Sequence, residues 1–402
     1  MEGGTRRQFL TAAGVAGVGT TIGHDALAPA VARAAADRRS SATVPFHGRH
    51  QAGIATPSQE HIQFAALDVV SDAARDLESL LRAMSDAAVR LTEARPVGPL
   101  QTGTAPPVDT GEAVGLGASR LTITFGLGPA VFDRGRFGLA RRRPGPLVDL
   151  PAFRGDALRP GLCGGDIAIQ ACAEDQQVAF HAVHDLIRLA SPLAVPRWSL
   201  AGFGRTLNTR GPATPRNLMG FKDGTANIMS QDAGALSRYV WAGAPESPRW
   251  MHGGSYMVVR RVAMLLANWD SIGLDQQEQT FGRHKLSGAP LGERSEYAPL
   301  DPSKLPPGSH ARLASPQLNA GERILRRGYS FADGVDRSGA AVAGGQLFIC
   351  FQRDPRRQFI PIQRRLAAND LLGEHTQHVG SAIFACPPGA ARGGFVGDRL
   401  FR

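Results

Sequence analysis

The chain has 402 residues, 43% of them hydrophobic, and a net charge of +10, which is enough for two domains or one large duplicated domain. The positive charge is almost wholly arginine, since the only lysines are Lys222, Lys285 and Lys304. The arginines are scattered through every segment without an aromatic-interleaved basic stripe, so the composition argues against a nucleic-acid-binding protein.

The N-terminus has the order of a twin-arginine export signal. Residues 5–10 read TRRQFL, a Gly/Ala-rich apolar run follows to about residue 22, and small residues stand at 34–36. An apolar run of about 14 residues is too short to span a bilayer, and His24 and Asp25 interrupt it, so an uncleaved membrane helix is the weaker alternative. We expect a signal peptide at residues 1–36, a flexible linker at 37–47, and a periplasmic or extracellular mature protein.

Strand-like and helix-like patterns then mix without a regular alternation. Strands are predicted at residues 63–69, 120–125, 165–175, 256–261 and 345–354, and helices at 72–93, 178–190 and 359–372. Segments 165–175 and 345–354 each read as an apolar strand that ends in an acidic turn and precedes a helix, which indicates an internal duplication. This order favours an α+β architecture with helices packed on antiparallel sheets.

Three Pro/Gly-rich or irregular segments separate these elements. Residues 95–117 and 141–164 are long for loops in a compact domain, so we expect them to run over the surface. Residues 205–217 read as a linker between halves, with the boundary near residue 210. Cys172 and Cys350 lie in apolar strand-like runs and are predicted to be buried thiols.

Three short motifs carry the chemistry. They read GFKDGTAN at residues 220–227, SHAR at 309–312 and LRRGY at 325–329. Together they supply a carboxylate that can move a proton, an imidazole that can hold iron and a guanidinium that can stabilise developing negative charge. Further matching segments lie at residues 253–261, 280–283 and 288–292.

These segments resemble the dye-decolorising peroxidases, a family of haem enzymes, over roughly residues 48–395. The leader and the GFKDGTAN segment are most similar to the exported branch, which includes the deferrochelatase/peroxidase of bacterial iron-uptake systems. The resemblance implies two ferredoxin-like halves, residues 48–210 and 211–402, joined as a dimeric α+β barrel. It also implies one haem b per chain, bound by the C-terminal half. The four cysteines show no CxxC or CxxCH spacing, which argues against a zinc site and against covalent haem attachment.

The resemblance also implies roles for individual residues. His310 would be the axial iron ligand, and its second ring nitrogen would donate to Asp370, with Glu374 as the fallback acceptor. Asp223 would transfer the proton of peroxide and Arg326 would stabilise charge as the O–O bond breaks. The adjacent Arg327 stays an alternative, because neighbours in a strand face opposite ways.

The remaining expected contacts are with the haem and its surroundings. Gly224, Thr225 and Ala226 would let the porphyrin approach the backbone closely, and Asn227 would tune water and hydrogen bonding in the distal pocket. Ser315, Pro316 and Gln317 would line the proximal side. Oxidation of donors too bulky to reach the haem would use an aromatic relay drawn from a set of six residues: Trp198, Trp241, Trp250, Trp269, Tyr256 and Tyr329.

The function implied is an exported haem b peroxidase that reduces hydrogen peroxide and oxidises bulky organic donors by one-electron steps. Its other partners would be the twin-arginine export machinery and, for the iron-release alternative, an iron-uptake system. A homo-oligomer is compatible with the sequence, which does not specify the oligomeric state. One alternative keeps the same site but releases iron from haem. Another, of a different class, is a non-catalytic haem carrier, which would not need an aspartate and an arginine together.

Overall fold

The computed structural model describes residues 41–100, 103–208, 213–335 and 342–402. The predicted signal peptide lies outside the described residues, as does the start of the predicted linker. Its later part belongs to the folded body, because Phe46 is only 6% exposed and the Arg120 N–H donates to the Ala42 carbonyl at 2.8 Å. None of the helices in these ranges has the length and apolarity that crossing a bilayer requires.

The described ranges contain nine strands, which divide between two halves of the chain. The N-terminal half holds β1 (His61–Val69), β2 (Thr122–Leu127), β3 (Ile167–Ala173) and β4 (Ala194–Phe203). The C-terminal half holds β5 (Ser255–Met264), β6 (Leu325–Arg326), β7 (Tyr329–Val335), β8 (Val342–Gln352) and β9 (Thr376–Cys386).

The same ranges contain seven α-helices and several short 3₁₀ turns. The helices are α1 (Ala74–Thr92), α2 (Gln176–Ala190), α3 (Ala233–Tyr239), α4 (Leu266–Asp270), α5 (Leu274–Phe281), α6 (His310–Leu313) and α7 (Phe359–Asn369). The predicted helix at residues 359–372 ends earlier because Asp370 is extended, with φ −78° and ψ 119°, and caps a 3₁₀ turn instead. The segments 95–117 and 141–164 contain no strand or α-helix among their described residues, as expected of loops.

All the strand pairs in named strands are antiparallel, and the two halves share one topology. The N-terminal half has the strand order β2-β3-β1-β4 and the C-terminal half the order β9-β5-β8-β7, with β6 also beside β8. Numbered within its own half, each is the ferredoxin-like sheet. The predicted duplication has a structural counterpart, since β3 and β8 occupy equivalent central positions and each precedes a helix. The predicted α+β fold class is confirmed.

The two sheets close on each other at two narrow seams. One seam is the pair Leu127 and Ala385, between β2 and β9, and the other is the pair Phe203 and Ser330, between β4 and β7. A glycine of the N-terminal half lies at each seam. A Cβ at Gly126 would come within 2.7 Å of the Phe384 Cβ, and a Cβ at Gly202 within 2.9 Å of the Tyr329 Cβ. Both approaches are too close for any side chain, so the seams require glycine.

Successive side chains of a strand point to opposite faces of the sheet, so the apolar core has two layers. Residues that point into the barrel, such as Phe64, Leu347 and Phe384, form one cluster shared by both halves. The outer face of the N-terminal sheet packs under α1 and α2. Helix α1 supplies Leu77, Leu80, Leu81, Met84, Ala88 and Leu91 at helical spacing. Asp175 caps the N-terminus of α2, and its carboxylate accepts from the N–H groups of Gln177 and Val178.

A partly buried histidine of β9, His378, makes the fold sensitive to acid. Burial and the neighbouring positive charge of Arg260 lower the pKa of His378 to about 4. The Arg260 side chain is fully buried and its Nε donates to His378 Nδ1 at 3.3 Å. His378 is therefore neutral in the folded protein over a pH range in which the unfolded chain binds a proton.

We predict that His378 lowers the free energy of unfolding as the pH falls from about 6.5 to about 4. The unfolded state binds a proton on this histidine in that range, whereas the folded state does not. The loss should reach up to about 3 kcal/mol of unfolding free energy. Chemical denaturation at several pH values, with wild type and His378→Asn compared, measures it. The difference between the two proteins should change across this window, and parallel pH profiles would contradict the prediction.

Candidate active site

His310 opens a short, braced segment of the C-terminal half. It is the first residue of the one-turn helix α6, directly after a Pro/Gly loop, so it is not in mid-helix, as expected. Arg312 holds that loop, since its guanidinium donates to the carbonyls of Pro302 and Pro307, both at 2.9 Å. The arginine of the SHAR motif therefore fixes the backbone that presents the histidine.

The His310 ring lies within hydrogen-bond distance of Asp370, the residue expected to be its partner. Its Nδ1 lies 2.6 Å from Asp370 Oδ2, while Asp370 Oδ1 accepts from the Leu372 N–H at 2.9 Å. Burial lowers the pKa of His310, but the Asp370 carboxylate outweighs it and the net pKa is raised. An ionised acceptor fixes the proton on Nδ1, which leaves the Nε2 lone pair free for a ligand bond. Glu374, the fallback acceptor, is exposed.

The His310 ring also keeps accessible surface. Although burial affects its pKa, 36% of its side-chain surface is exposed. An imidazole with a carboxylate behind its Nδ1 and accessible surface for a ligand fits the proximal side of a haem.

Asp223 and Arg326 form an ion pair that acts electrostatically on the same histidine. Asp223 Oδ1 accepts from the Arg326 guanidinium at 2.6 Å, and both charges act on the pKa of His310. The other carboxylate oxygen, Oδ2, accepts from the Gln346 amide at 2.7 Å. Thr206 Oγ1 lies 3.4 Å from that oxygen. Both oxygens of Asp223 are thus held in fixed directions.

Strand alternation decides between Arg326 and Arg327. Arg326 pairs with Cys350, so it shares the outer face of the C-terminal sheet with Gln346. Arg327 points the other way, is fully buried, and donates to the Thr56 carbonyl at 2.6 Å and to the Gln59 amide oxygen. Arg326 is therefore the arginine beside Asp223.

Asn227 is bound to the backbone beside Arg326. Its amide oxygen accepts from the Arg326 N–H at 2.9 Å, and its amide nitrogen donates to the Arg326 carbonyl at 2.8 Å and to the Leu207 carbonyl at 3.2 Å. The residue is 3% exposed. These contacts hold the Arg326 backbone, and the expected role of Asn227 in the distal pocket stays a prediction.

Local contacts within the chain also involve the three residues before Asn227. Gly224 has a φ of +116°, and a Cβ there would lie 2.4 Å from the Leu207 backbone nitrogen, so glycine is required by the chain itself. Thr225 donates to Glu296 at 2.9 Å, and Ala226 is exposed. Burial raises the pKa of Glu296, but hydrogen bonds from Lys222, Thr214 and Thr225 outweigh it, and the net pKa is lowered. The expectation of close approach to a porphyrin stays a prediction.

The segment after α6 has one unusual polar atom. Ser315 is 4% exposed, and its Oγ has no hydrogen-bond partner. Pro316 begins a 3₁₀ turn, and Gln317 is exposed, with its amide 3.3 Å from the Leu300 carbonyl. An orphaned buried hydroxyl is consistent with a polar neighbour at this position.

Sequence reasoning did not single out Gln346 or Arg283. Gln346 lies on a predicted strand, but only the strand register brings it to Asp223. Burial and the nearby charge of Arg326 lower the pKa of Arg283, whose guanidinium donates to the Gly288 carbonyl at 2.7 Å. Two guanidiniums close together favour anionic groups at this site. Of the six aromatic residues in the proposed relay set, all except Trp241 are buried.

Comparison with protein families matches both halves of the chain. The model for the Dyp-type peroxidase N-terminal domain matches residues 51–204, and the model for the C-terminal domain matches residues 214–391. The chain belongs to the Dyp-type peroxidase family. It is therefore a haem-dependent peroxidase, and the sequence-based identification of family, enzyme class and cofactor is confirmed.

Known relatives and solved structures agree with the Dyp-type identification. The deferrochelatase of Escherichia coli (strain K12) is 38% identical over 371 residues, which covers 89% of this chain and 87% of the relative. A DyP-type peroxidase from Streptomyces coelicolor superposes with a TM-score of 0.82 at 39% identity, covering 90% of this chain and 98% of that one. DtpA from Streptomyces lividans, solved as an oxyferrous/water mixed complex, gives the same TM-score of 0.82 and 39% identity, covering 91% and 99%.

We predict that Asp370→Asn weakens haem retention by roughly 10- to 100-fold, because the amide cannot supply the charge that orients and enriches the His310 ring. Transfer of haem from this Dyp-type peroxidase to apomyoglobin measures the release rate. Glu374→Gln is the matched control, since it removes a nearby but exposed carboxylate. Equal release from the two variants would refute the role of Asp370.

Proposed function

We propose that His310 binds the iron of haem b on one side, and that Asp223 and Arg326 act on hydrogen peroxide on the other side. The observation that carries this proposal is the convergence of two ion-paired sets, His310 with Asp370 and Asp223 with Arg326, close enough for mutual electrostatic effects. A haem carrier needs the first set alone. The second set supports catalysis.

When bound, the haem supplies the redox chemistry that protein side chains lack. The residues around it move a proton and stabilise charge. The Asp223 carboxylate accepts the proton from one peroxide oxygen and returns it to the oxygen that leaves as water. Arg326 donates hydrogen bonds to the oxygen on which negative charge develops. Gln346 keeps Asp223 Oδ2 directed while Oδ1 faces the guanidinium.

The central test is Asp223→Asn, which keeps the shape but removes the base. We expect kcat/KM for hydrogen peroxide to fall by roughly 10²- to 10⁴-fold while the haem content of the purified protein stays unchanged. Stopped-flow kinetics and the absorption spectrum give the two readouts. Asp86→Asn, an exposed substitution on α1, serves as the control. Undiminished turnover in a haem-loaded Asp223→Asn protein would exclude Asp223 as the group that accepts the proton of peroxide.

The adjacent arginines offer a matched pair of substitutions. Arg326→Gln should lower kcat/KM for peroxide by roughly 10²- to 10³-fold, because a donor to the developing charge is lost. Arg327→Gln should mainly lower the melting temperature, because it removes a buried group bonded to Thr56 and Gln59. Kinetics and thermal unfolding of both variants measure the contrast. A larger kinetic defect in Arg327→Gln would reverse our assignment.

We further infer that organic donors supply the electrons and that the protein is exported by the twin-arginine route. The leader sequence TRRQFL with its apolar run and small residues supports export. Twin-arginine substrates cross the membrane already folded, which suits a protein that takes up haem first. Fusion of residues 1–40 to a reporter in a twin-arginine-deficient strain tests the route, and export without that machinery would exclude it.

Iron release from haem is the second candidate function. The name of the Escherichia coli relative, deferrochelatase, is the observation that favours it. Incubation of the protein with haemin separates the two activities by product. Metal-free porphyrin without peroxide consumption would favour iron release, whereas oxidised donor with peroxide consumption would favour the peroxidase. An iron-uptake system as a partner and a homo-oligomeric assembly are two further proposals.

A further inference from the structure

A second cluster of chemically reactive side chains lies in the N-terminal half, on α2 and the loop at residues 95–117. Asp109, His181 and Asp185 are 1%, 5% and 2% exposed. His181 Nε2 lies 3.7 Å from Asp109 Oδ2 and 3.5 Å from Asp185 Oδ2. All three ligand atoms lie within 4.8 Å of one another. The haem chemistry uses none of them.

One oxygen of this cluster has no partner. Asp185 Oδ1 accepts from the Thr110 N–H at 3.1 Å and the Thr110 hydroxyl at 2.9 Å, but the buried Oδ2 accepts from nothing. Its side chain is completely buried and directed at His181. Burial and the neighbouring Asp109 carboxylate raise the pKa of Asp185. Burying an unpaired carboxylate costs free energy unless a cation or a proton neutralises it.

The cluster also has too few hydrogen-bond donors for its carboxylate oxygens. Thr110 has one hydroxyl hydrogen, yet its Oγ1 contacts carboxylate oxygens of both Asp185 and Glu112. Asp109 is held by backbone groups, with Oδ2 accepting from Val97 at 2.8 Å and Oδ1 from Gly111 at 2.9 Å. The Asp109 and Asp185 oxygens nearest His181 therefore converge without a donor between them.

Glu112 orients the histidine. Its two oxygens lie 2.8 Å from His181 Nδ1 and 2.6 Å from His184 Nδ1. Burial raises the pKa of Glu112, but hydrogen bonds from Thr110, His181 and its other donors outweigh it and lower the pKa to about 2. A hydrogen bond from His181 Nδ1 to Glu112 directs the other ring nitrogen, Nε2, toward the two aspartates. A carboxylate behind a metal-binding histidine is the usual support of such a ligand.

We propose that Asp109, His181 and Asp185 bind one divalent transition-metal ion, zinc in preference, with Glu112 positioning His181. Ligand bonds of about 2.0 to 2.2 Å at tetrahedral angles separate the ligand atoms by about 3.3 to 3.6 Å. The His181 distance of 3.5 Å lies within this range and that of 3.7 Å lies just above it. Two carboxylates and a neutral imidazole balance the double charge, and water completes the fourth position. The cysteine spacing argues against a thiolate zinc site and does not bear on this oxygen and nitrogen site.

The ion would fasten a long loop to the helix beneath it. Asp109 belongs to the loop at residues 95–117, and His181 and Asp185 lie one turn apart on α2. Hydrogen bonds already join the two, namely the Thr110 and Glu112 contacts described above and the Arg188 guanidinium to the Pro107 carbonyl at 3.0 Å, and the ion would add to them. Binding to the folded chain alone would raise the melting temperature.

Zinc binding and thermal unfolding of the haem-loaded protein test this proposal. Tag-free protein is dialysed against dipicolinate, then equilibrated with zinc chloride, and zinc per chain is measured by elemental analysis. We expect one zinc per chain and a rise of several degrees in melting temperature. Asp185→Asn should weaken zinc binding at least tenfold and abolish the thermal shift, and Glu112→Gln should weaken binding roughly 10- to 100-fold.

The control is Asp68→Asn, which removes a carboxylate paired with Arg197 at 2.8 Å outside the cluster. It should bind zinc and shift as the wild type does. If His181 is instead a doubly protonated imidazolium between two aspartates, the melting temperature will not respond to zinc in any variant, and the proposal fails. Zinc bound equally by wild type and Asp185→Asn would also overturn it. Neither readout depends on peroxidase turnover.

Discussion

The site depends on one geometrical constraint, that consecutive residues of a strand point to opposite faces. Arg326 and Arg327 are adjacent, so one guanidinium must enter the barrel when the other meets Asp223. Arg327 is accommodated there by the Thr56 carbonyl and the Gln59 amide, from a segment more than 260 residues earlier in the chain. The position of the Arg326 guanidinium is therefore tied to the N-terminal half, which contributes none of the proposed catalytic groups.

The two halves share a topology but use their outer faces differently. In the N-terminal half, α1 and α2 cover the sheet with leucine, valine and alanine side chains. On the equivalent face of the C-terminal half, Gln346 and Arg326 are polar and meet Asp223. The two sheets thus have equivalent outer faces. The N-terminal one is covered by apolar packing, and the C-terminal one carries the polar groups that contact Asp223. This difference explains why the haem is expected in the C-terminal half only.

The sequence predicts the parts of the site that lie in contiguous motifs, and misses those that depend on register. The partnership of His310 with Asp370 and that of Asp223 with Arg326 agree with the structure. Gln346 stands on a strand that was predicted, but its contact with Asp223 depends on the strand register, which local pattern does not specify. Asn227 shows the reverse case. Its motif is recognisable, yet its amide binds the Arg326 backbone, a partner that only the tertiary fold brings near.

The seam glycines limit how far the two halves can vary independently. Gly202 faces Tyr329, which follows Arg326 by three residues, and Gly126 faces Phe384 on the opposite side of the barrel. Even one methyl group at either position would have to push a strand outward. At Gly202 the displaced strand would carry the Arg326 guanidinium with it. The spacing between the two halves therefore depends on two positions where a hydrogen atom fits and a methyl group does not.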